Sequence, residues 1–159
     1  MTKDEGRRTK DEILEKIKEK FGAKIKDVFE KSARRVYIEM PSKDIVECAR
    51  CLFAELEARF STASCVDMPD RFEILYHFSF DPAALIVSIR VFIDKKDPKI
   101  GSITPLIKGA EWIEREIHEL FGVDFTGHPN LKRLLLPDSW PEGLYPLRRD
   151  YKDSTTPGS

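Results

Sequence analysis

Hydrophobic and polar positions alternate along this chain with two periods, and the switches between them mark its elements. Behind Thr9 and Glu12, a capping-box pair, Ile13, Leu14, Ile17 and Phe21 recur at helical steps, and Gly22 closes that helix. Residues 24–29 read as a short strand. Residues 34–40 alternate Val36, Ile38 and Met40 against Arg35, Tyr37 and Glu39, the pattern of a half-buried strand. Pro41 and Ser42 introduce a second helix, with Ile45, Ala49, Leu52, Leu56 and Phe60 on its core face. Residues 61–68 are small and β-branched, a further strand. Residues 71–80 set Phe72, Ile74, Tyr76, Phe78 and Phe80 on one face. Residues 85–93 do the same with Leu85, Val87, Ile89, Val91 and Ile93. Short turns at Pro69-Asp70 and Asp81-Pro82 predict antiparallel neighbours. Residues 94–101 read as a linker.

A third helix is expected over about 104–121, where Leu106, Ala110, Ile113, Ile117, Leu120 and Phe121 recur at three- and four-residue steps before Gly122. Glu111 and Arg115 lie four apart in the favoured acid-first order, and Glu114 can reach His118. Glu116 sits about 40° from both Trp112 and Leu120, on the flank of the apolar stripe. A carboxylate there needs a partner, and Arg133, Arg148 and Arg149 are the candidates. After Gly122 no regular pattern is expected. Pro129, Pro137, Pro141 and Pro146 break any helix, yet large apolar residues continue through Leu131, Leu136, Trp140, Leu144 and Tyr151. The order predicts an α+β fold: a mostly antiparallel sheet with helices packed on it over residues 1–122, followed by an extended, proline-containing C-terminal arm over 123–159. Fully extended, the arm would reach on the order of 100 Å, and its apolar character predicts a partner surface for it to lie against.

Charge narrows the functional classes. Lys and Arg number 27 against 28 Asp and Glu, so no basic field recruits nucleic acid; acidic neighbours cancel the cluster at Lys132, Arg133, Arg148 and Arg149. No apolar run reaches the ~20 residues of a membrane span, and the charged first twenty residues do not resemble a secretory signal. The expectation is a cytosolic chain, or one peripheral on the cytoplasmic side of a membrane. Three cysteines fit a reducing compartment. Cys48 and Cys51 form a C-x-x-C in mid-helix, with Cys65 as the remaining thiol. Four-ligand zinc or iron–sulfur sites need more donors, so ordinary packing is expected, with Cys48 bordering the core and Cys51 further out. A freestanding thiol or metal protein using these three cysteines stands as the distant alternative. His77 reads as solvated or sheet-packed, and His128 as an imidazole fixing the arm's turn. No nucleophile stands beside His118, and no phosphate loop or hydrolase motif appears, so no catalytic constellation is expected.

Three blocks then carry a resemblance: E-R-E-I-H-E-L-F-G at 114–122, H-P-N-L-K-R-L-L at 128–135 and P-L-R-R-D-Y at 146–151. Together they resemble the C-subunit family of respiratory complex I, which extends to membrane-bound, energy-converting NiFe hydrogenases. The resemblance implies a non-catalytic structural subunit of the hydrophilic arm of such a complex, without a cofactor or metal of its own. Its implied partners are a NiFe-hydrogenase-like large subunit and an iron–sulfur electron-transfer subunit, with membrane subunits touched only indirectly. Glu114, Arg115 and Glu116 would brace the helix against the arm. His128, Pro129, Leu131 and Arg133 would set its first turn. Pro146, Leu147, Arg148, Arg149, Asp150 and Tyr151 would dock on the large subunit. His118 and Glu119 stand where the complex I pattern has an aromatic residue and Asp, so the chain leans toward the hydrogenase-like branch, with NADH:quinone oxidoreductase the alternative.

Overall fold

A computed structural model describes residues 7–153. Helix α1, Lys10–Phe21, starts with the expected capping box: Thr9 Oγ1 accepts from the Glu12 N–H at 3.3 Å, and Glu12 Oε2 accepts from the Thr9 N–H at 2.7 Å. These bonds satisfy two of the donors that every helix start leaves free. Ile13, Leu14, Ile17 and Phe21 are buried as a stripe. Strands β1 (Asp27–Ser32) and β2 (Arg35–Glu39) follow. Helix α2 (Ile45–Arg50) continues into a π-helical turn over Cys51–Glu55.

Strands β3 (Arg59–Asp67), β4 (Arg71–Phe80) and β5 (Leu85–Asp94) complete a five-stranded sheet in the order β1-β2-β5-β4-β3. The sheet is mostly antiparallel, in an α+β fold. The one parallel pair is β2 with β5, registered Val36 to Val87 and Ile38 to Ile89, a crossover that the turn-by-turn reading did not anticipate. Phe72, Ile74, Tyr76 and Phe78 of β4 oppose Ile93, Val91, Ile89 and Val87 of β5, and all eight are buried on the helix-facing side.

Four expectations are corrected. The first strand runs Asp27–Ser32, not 24–29. The second helix ends before Phe60, because the π-helical turn and the left-handed backbone of Glu57 (φ 60°) break it. Phe60 instead belongs to β3 and meets Phe78 edge-on, with ring centroids 5.5 Å apart. Leu56 and Phe60 are four apart by coincidence and serve different elements. The presumed linker holds strand β6 (Lys99–Gly101), and the arm opens with strand β7 (Asp124–Thr126). The two pair in parallel and bury Ile100 against Phe125. Gly101 is required here, since a Cβ on it would come within 2.9 Å of Val46 Cγ2. Helix α3 spans Glu111–Phe121 rather than starting near 104. Pro105 lacks an amide donor, and Ile107 is extended (φ −126°, ψ 93°), so residues 103–110 form turns and a short 3-10 helix, Lys108–Ala110, that bury Ile103, Ile107 and Ala110.

Candidate functional site

Helix α3 and the segment after β7 form one polar, interlocked unit. Trp112 is largely exposed, so the inward face of α3 is set by Glu114, Ile117 and Phe121, at i, i+3 and i+7. The buried carboxylate is therefore Glu114, not Glu116. Its side chain is fully enclosed and accepts three hydrogen bonds: Ser102 Oγ at 2.5 Å, the Ile103 N–H at 2.7 Å and Thr104 Oγ1 at 2.7 Å. The turns that replace the expected start of the helix thus supply its donors. Three donors on one carboxylate stabilise it in the absence of water. Glu116 stays at the half-exposed margin, and none of the three candidate arginines pairs with it: Arg133 donates to the Pro137 carbonyl, Arg148 to the Phe121 carbonyl, and Arg149 reaches Asp67 through its backbone.

A second row, Glu111, Arg115 and Glu119 at i, i+4 and i+8, holds the C-terminal segment, which runs parallel to the helix as a strap. At its first rung, His128 Nε2 lies 3.1 Å from the Glu111 carbonyl and Asn130 Nδ2 reaches Glu111 Oε1 at 3.4 Å. Arg115 does not pair with Glu111. Its guanidinium donates to the carbonyls of Lys132 at 2.9 Å and Arg133 at 2.7 Å. Buried Glu119 accepts from the N–H groups of Leu134, Leu135 and Leu136 at 3.0, 2.7 and 3.4 Å. Pro129 is exposed, and Leu131 packs on the core. His118 turns from Glu114 to the Val123 carbonyl, 2.7 Å away, and fixes the exit of the helix.

The strap then returns to the end of α3. The Leu147 N–H donates to the Leu120 carbonyl at 3.1 Å and Arg148 Nε to the Phe121 carbonyl at 2.6 Å, so the strap caps acceptors the helix itself leaves open. Gly122 has φ 78°, and a Cβ there would lie 2.6 Å from the Tyr145 ring and 2.7 Å from Arg148 Nη2. The Arg148 guanidinium lies 4.4 Å from the Tyr145 ring centroid and 5.3 Å from that of Phe72. Asp67 accepts from the Arg149 N–H at 2.7 Å and pairs with Lys95. Burial alone would raise its carboxyl, but Lys95, the Arg149 N–H and Arg148 hold it below the usual range. Pro146 is half-buried, Asp150 is exposed, and Tyr151 stacks on Trp140 with centroids 6.1 Å apart. A cleft of about 400 Å³ opens between strap and helix, lined by His118, Arg133, Trp140 and Tyr145 among others. Leu144, which lines it, is 45% exposed, and elsewhere on the strap Leu135 and Leu147 are 62 and 52% exposed.

Elsewhere the cysteines and His77 are taken up by packing. Cys48 and Cys51 are both buried, which corrects the outward placement of Cys51. Burial pushes the Cys48 thiol up to about 12 and, with Asp67 and Glu73, the Cys65 thiol to about 12 as well, so neither is a ready thiolate at neutral pH. Among the described residues no cluster of three or more His, Cys, Asp or Glu could hold a metal ion. His77 bridges strands, with Nδ1 2.6 Å from Ser88 Oγ and Nε2 3.3 Å from Ser64 Oγ. No helix among the described residues is long and apolar enough to cross a membrane.

Residues 38–157, which take in α3 and the strap, match the family described as the 30 Kd subunit of respiratory-chain NADH dehydrogenase. The chain belongs to this family. The C subunit of the NADH-quinone oxidoreductase of Citrifermentans bemidjiense is 34% identical over 140 residues, covering 86% of this chain and 85% of that one. Formate hydrogenlyase subunit 5 of Escherichia coli K12 is 43% identical over 67 residues, which are 42% of this chain and 12% of the relative. Among solved structures, an archaeal respiratory membrane complex, the membrane-bound sulfane sulfur reductase, contains a chain of the same fold. Its TM-score is 0.79 at 24% identity, covering 89% of this chain and 85% of that one. The blocks that carry the family resemblance contain the anchors described above. Glu114 and Glu119 lie in the first, His128 and the amides of Leu134 and Leu135 in the second, Leu147 and Arg148 in the third.

Proposed function

We propose that this chain is a non-catalytic structural subunit of a membrane-associated, energy-converting oxidoreductase complex, peripheral on its cytoplasmic side, and that the strap docks on a large subunit related to NiFe hydrogenases. The observation that carries this reading is the strap itself. An aperiodic segment is fixed by one buried carboxylate, two arginines and a histidine, and it still leaves Leu135, Leu144 and Leu147 exposed. Ordering a loop costs conformational entropy. A pre-ordered loop meets a partner without that cost at the moment of binding, which favours a tight interface. In this reading the chain carries no redox centre. It holds the large subunit and an iron–sulfur subunit in electron-transfer geometry, and touches membrane subunits only through them.

The hydrogenase-like branch is favoured by the H-E-L-F-G run at 118–122 and by the likeness to formate hydrogenlyase subunit 5. The alternative is NADH:quinone oxidoreductase, whose C subunit is alike over most of the chain. Affinity capture of this chain from its native membranes, with the captured subunits identified by mass spectrometry, tests both. A NiFe-type large subunit is the expected catch, and quinone-reductase subunits would assign the other branch. A chain recovered alone, with stoichiometric metal lost on Cys48→Ser, would overturn the reading.

A further inference from the structure

We infer that Trp112 and Glu116 form a seat for an arginine side chain of the partner, an inference that rests on the docking reading above. Three charged residues open the first family block, and the fold commits two of them. Glu114 accepts from Ser102, Ile103 and Thr104, and Arg115 donates to the carbonyls of Lys132 and Arg133. Glu116 is the third. It is half-exposed, and among the described residues its carboxylate has neither a hydrogen-bond nor an ion-pair partner. One turn before it stands Trp112, 67% exposed, and no ring or cation of the described residues lies against its indole. Residues four apart on a helix are neighbours, with Cβ atoms about 5–6 Å apart, so the indole and the carboxylate share one patch of surface.

The chain supplies no cation to this patch. Arg133 and Arg148 of the strap donate to the carbonyls of Pro137 and Phe121, and Lys108 lies two turns before Glu116. The other charges beside the pair on the helix, Glu111 and Glu119, are acidic and held by the strap. The patch is thus complementary to a positive group from outside. An aromatic face next to a carboxylate is how this chain already holds a guanidinium: Arg90 lies 5.3 Å from the ring centroid of Tyr37 and pairs with Glu73 at 3.2 Å. A planar guanidinium stacks on the ring while its edge donates to the carboxylate, which the point charge of a lysine does less well. Around the helix axis Trp112 lies about 20° from Glu119. Glu119 holds the backbone of exposed Leu135, so the seat borders the strap, and a partner covering the one reaches the other.

Affinity capture of the complex from native membranes through Trp112→Leu, Trp112→Phe and Glu116→Lys chains tests it. Both side chains lie at the surface, so all three variants should keep the urea midpoint of the natural chain. Trp112→Leu retains an apolar group without a π face, and Glu116→Lys sets a like charge against the arginine. Each should lower the captured large subunit about tenfold or more. Trp112→Phe keeps a face and should stay within about threefold of the natural chain. Full capture by Trp112→Leu or by Glu116→Lys would overturn the seat. Equal loss in Trp112→Leu and Trp112→Phe would overturn it too, leaving a plain apolar contact. Should Glu116→Lys unfold early, Glu116→Gln takes its place, with full capture again the contrary result. A strap variant, Leu135→Ser with Leu144→Ser and Leu147→Ser, separates this inference from the docking reading. Loss in that variant with full capture by Trp112→Leu and Glu116→Lys sinks the seat alone; full capture by every variant sinks both.

Discussion

The sheet face turned away from the core and the face built by α3 and the strap both carry large apolar side chains at the surface, and they treat them oppositely. On the sheet, Arg71 lies 3.7 Å from the ring centroid of Phe92. Arg90 lies 5.3 Å from that of Tyr37 and pairs with Glu73 at 3.2 Å. The strands thus cover much of their own aromatic surface with guanidinium groups that remain hydrated at their edges. On the strap, Arg148 turns inward to a backbone carbonyl of α3, and Leu135, Leu144 and Leu147 are left outside. The strap face thus spends buried polar bonds on its backbone and leaves leucines exposed, while the outer sheet face covers part of its aromatic surface and leaves Phe29 and Val66 exposed on its edge strands. An uncovered apolar patch rimmed by polar groups is the usual mark of an interaction surface.

Breaking the polar anchors of α3 and of the strap should therefore cost much more than breaking the sheet's covers. Glu114→Ala is expected to have the largest effect. It strands three enclosed donors, and a loss of about 3 kcal/mol or more should appear in urea unfolding of the isolated chain. A loss below about 1 kcal/mol would mean that water reaches Ser102 and Thr104. Gly122→Ala comes next, at about 2 kcal/mol, because it combines backbone strain with displacement of Tyr145; thermal unfolding reads it. Glu119→Ala should cost about 1–2 kcal/mol, confined to the strap. Exchange of the Leu134 and Leu135 amides should accelerate while the amides of β4 keep their rates. Arg71→Ala, on the other face, is expected to change stability by about 0.5–1 kcal/mol and to leave assembly untouched.

The smallest effect is a pH dependence. Burial first, and the Arg35 charge second, hold the His77 ring below the usual imidazole range. The folded state therefore prefers the neutral ring. The stability it contributes is full above the ordinary value and declines as pH falls from there toward the lowered folded value. Comparing urea midpoints of the natural chain and His77→Gln across that window isolates it. A slope of the opposite sign would show that the ring gains a charge partner on folding.

How much of this was legible beforehand follows from how many jobs a residue does. β4 and β5 were readable almost to the residue, because one face of each is continuously apolar from Phe72 to Phe80 and from Leu85 to Ile93. The end of α2 was not, since helical spacing continues by accident from Leu56 to Phe60 across a backbone break. The same accident, Leu106 and Ala110 in phase with Ile113, drew the third helix too long. With Trp112 taken as an inward residue, the stripe rotated and Glu116 stood where Glu114 belongs. Of the donors to that carboxylate, Thr104 lies in the stretch read as helix start and Ser102 just after the stretch read as linker. The i, i+4, i+8 row of Glu111, Arg115 and Glu119 reads on paper as a solvated ion-pair ladder. Its actual partners are mostly backbone groups of the strap, which no side-chain pattern announces. The role of His128 in setting a turn was visible from its place before a proline, and the three family blocks were visible as a set. Their mutual contacts within the chain were not.

The most direct test of the two-sided account is affinity capture from native membranes with two variants side by side. One carries Leu135→Ser, Leu144→Ser and Leu147→Ser on the strap; the other carries Phe29→Ser and Val66→Ser, two exposed apolar residues of the sheet's edge strands. The account predicts that the strap variant, folded as judged by its unfolding transition, loses the large subunit from the captured material by tenfold or more, while the sheet variant retains it at the level of the natural chain. Equal retention by both, or loss confined to the sheet variant, would contradict it.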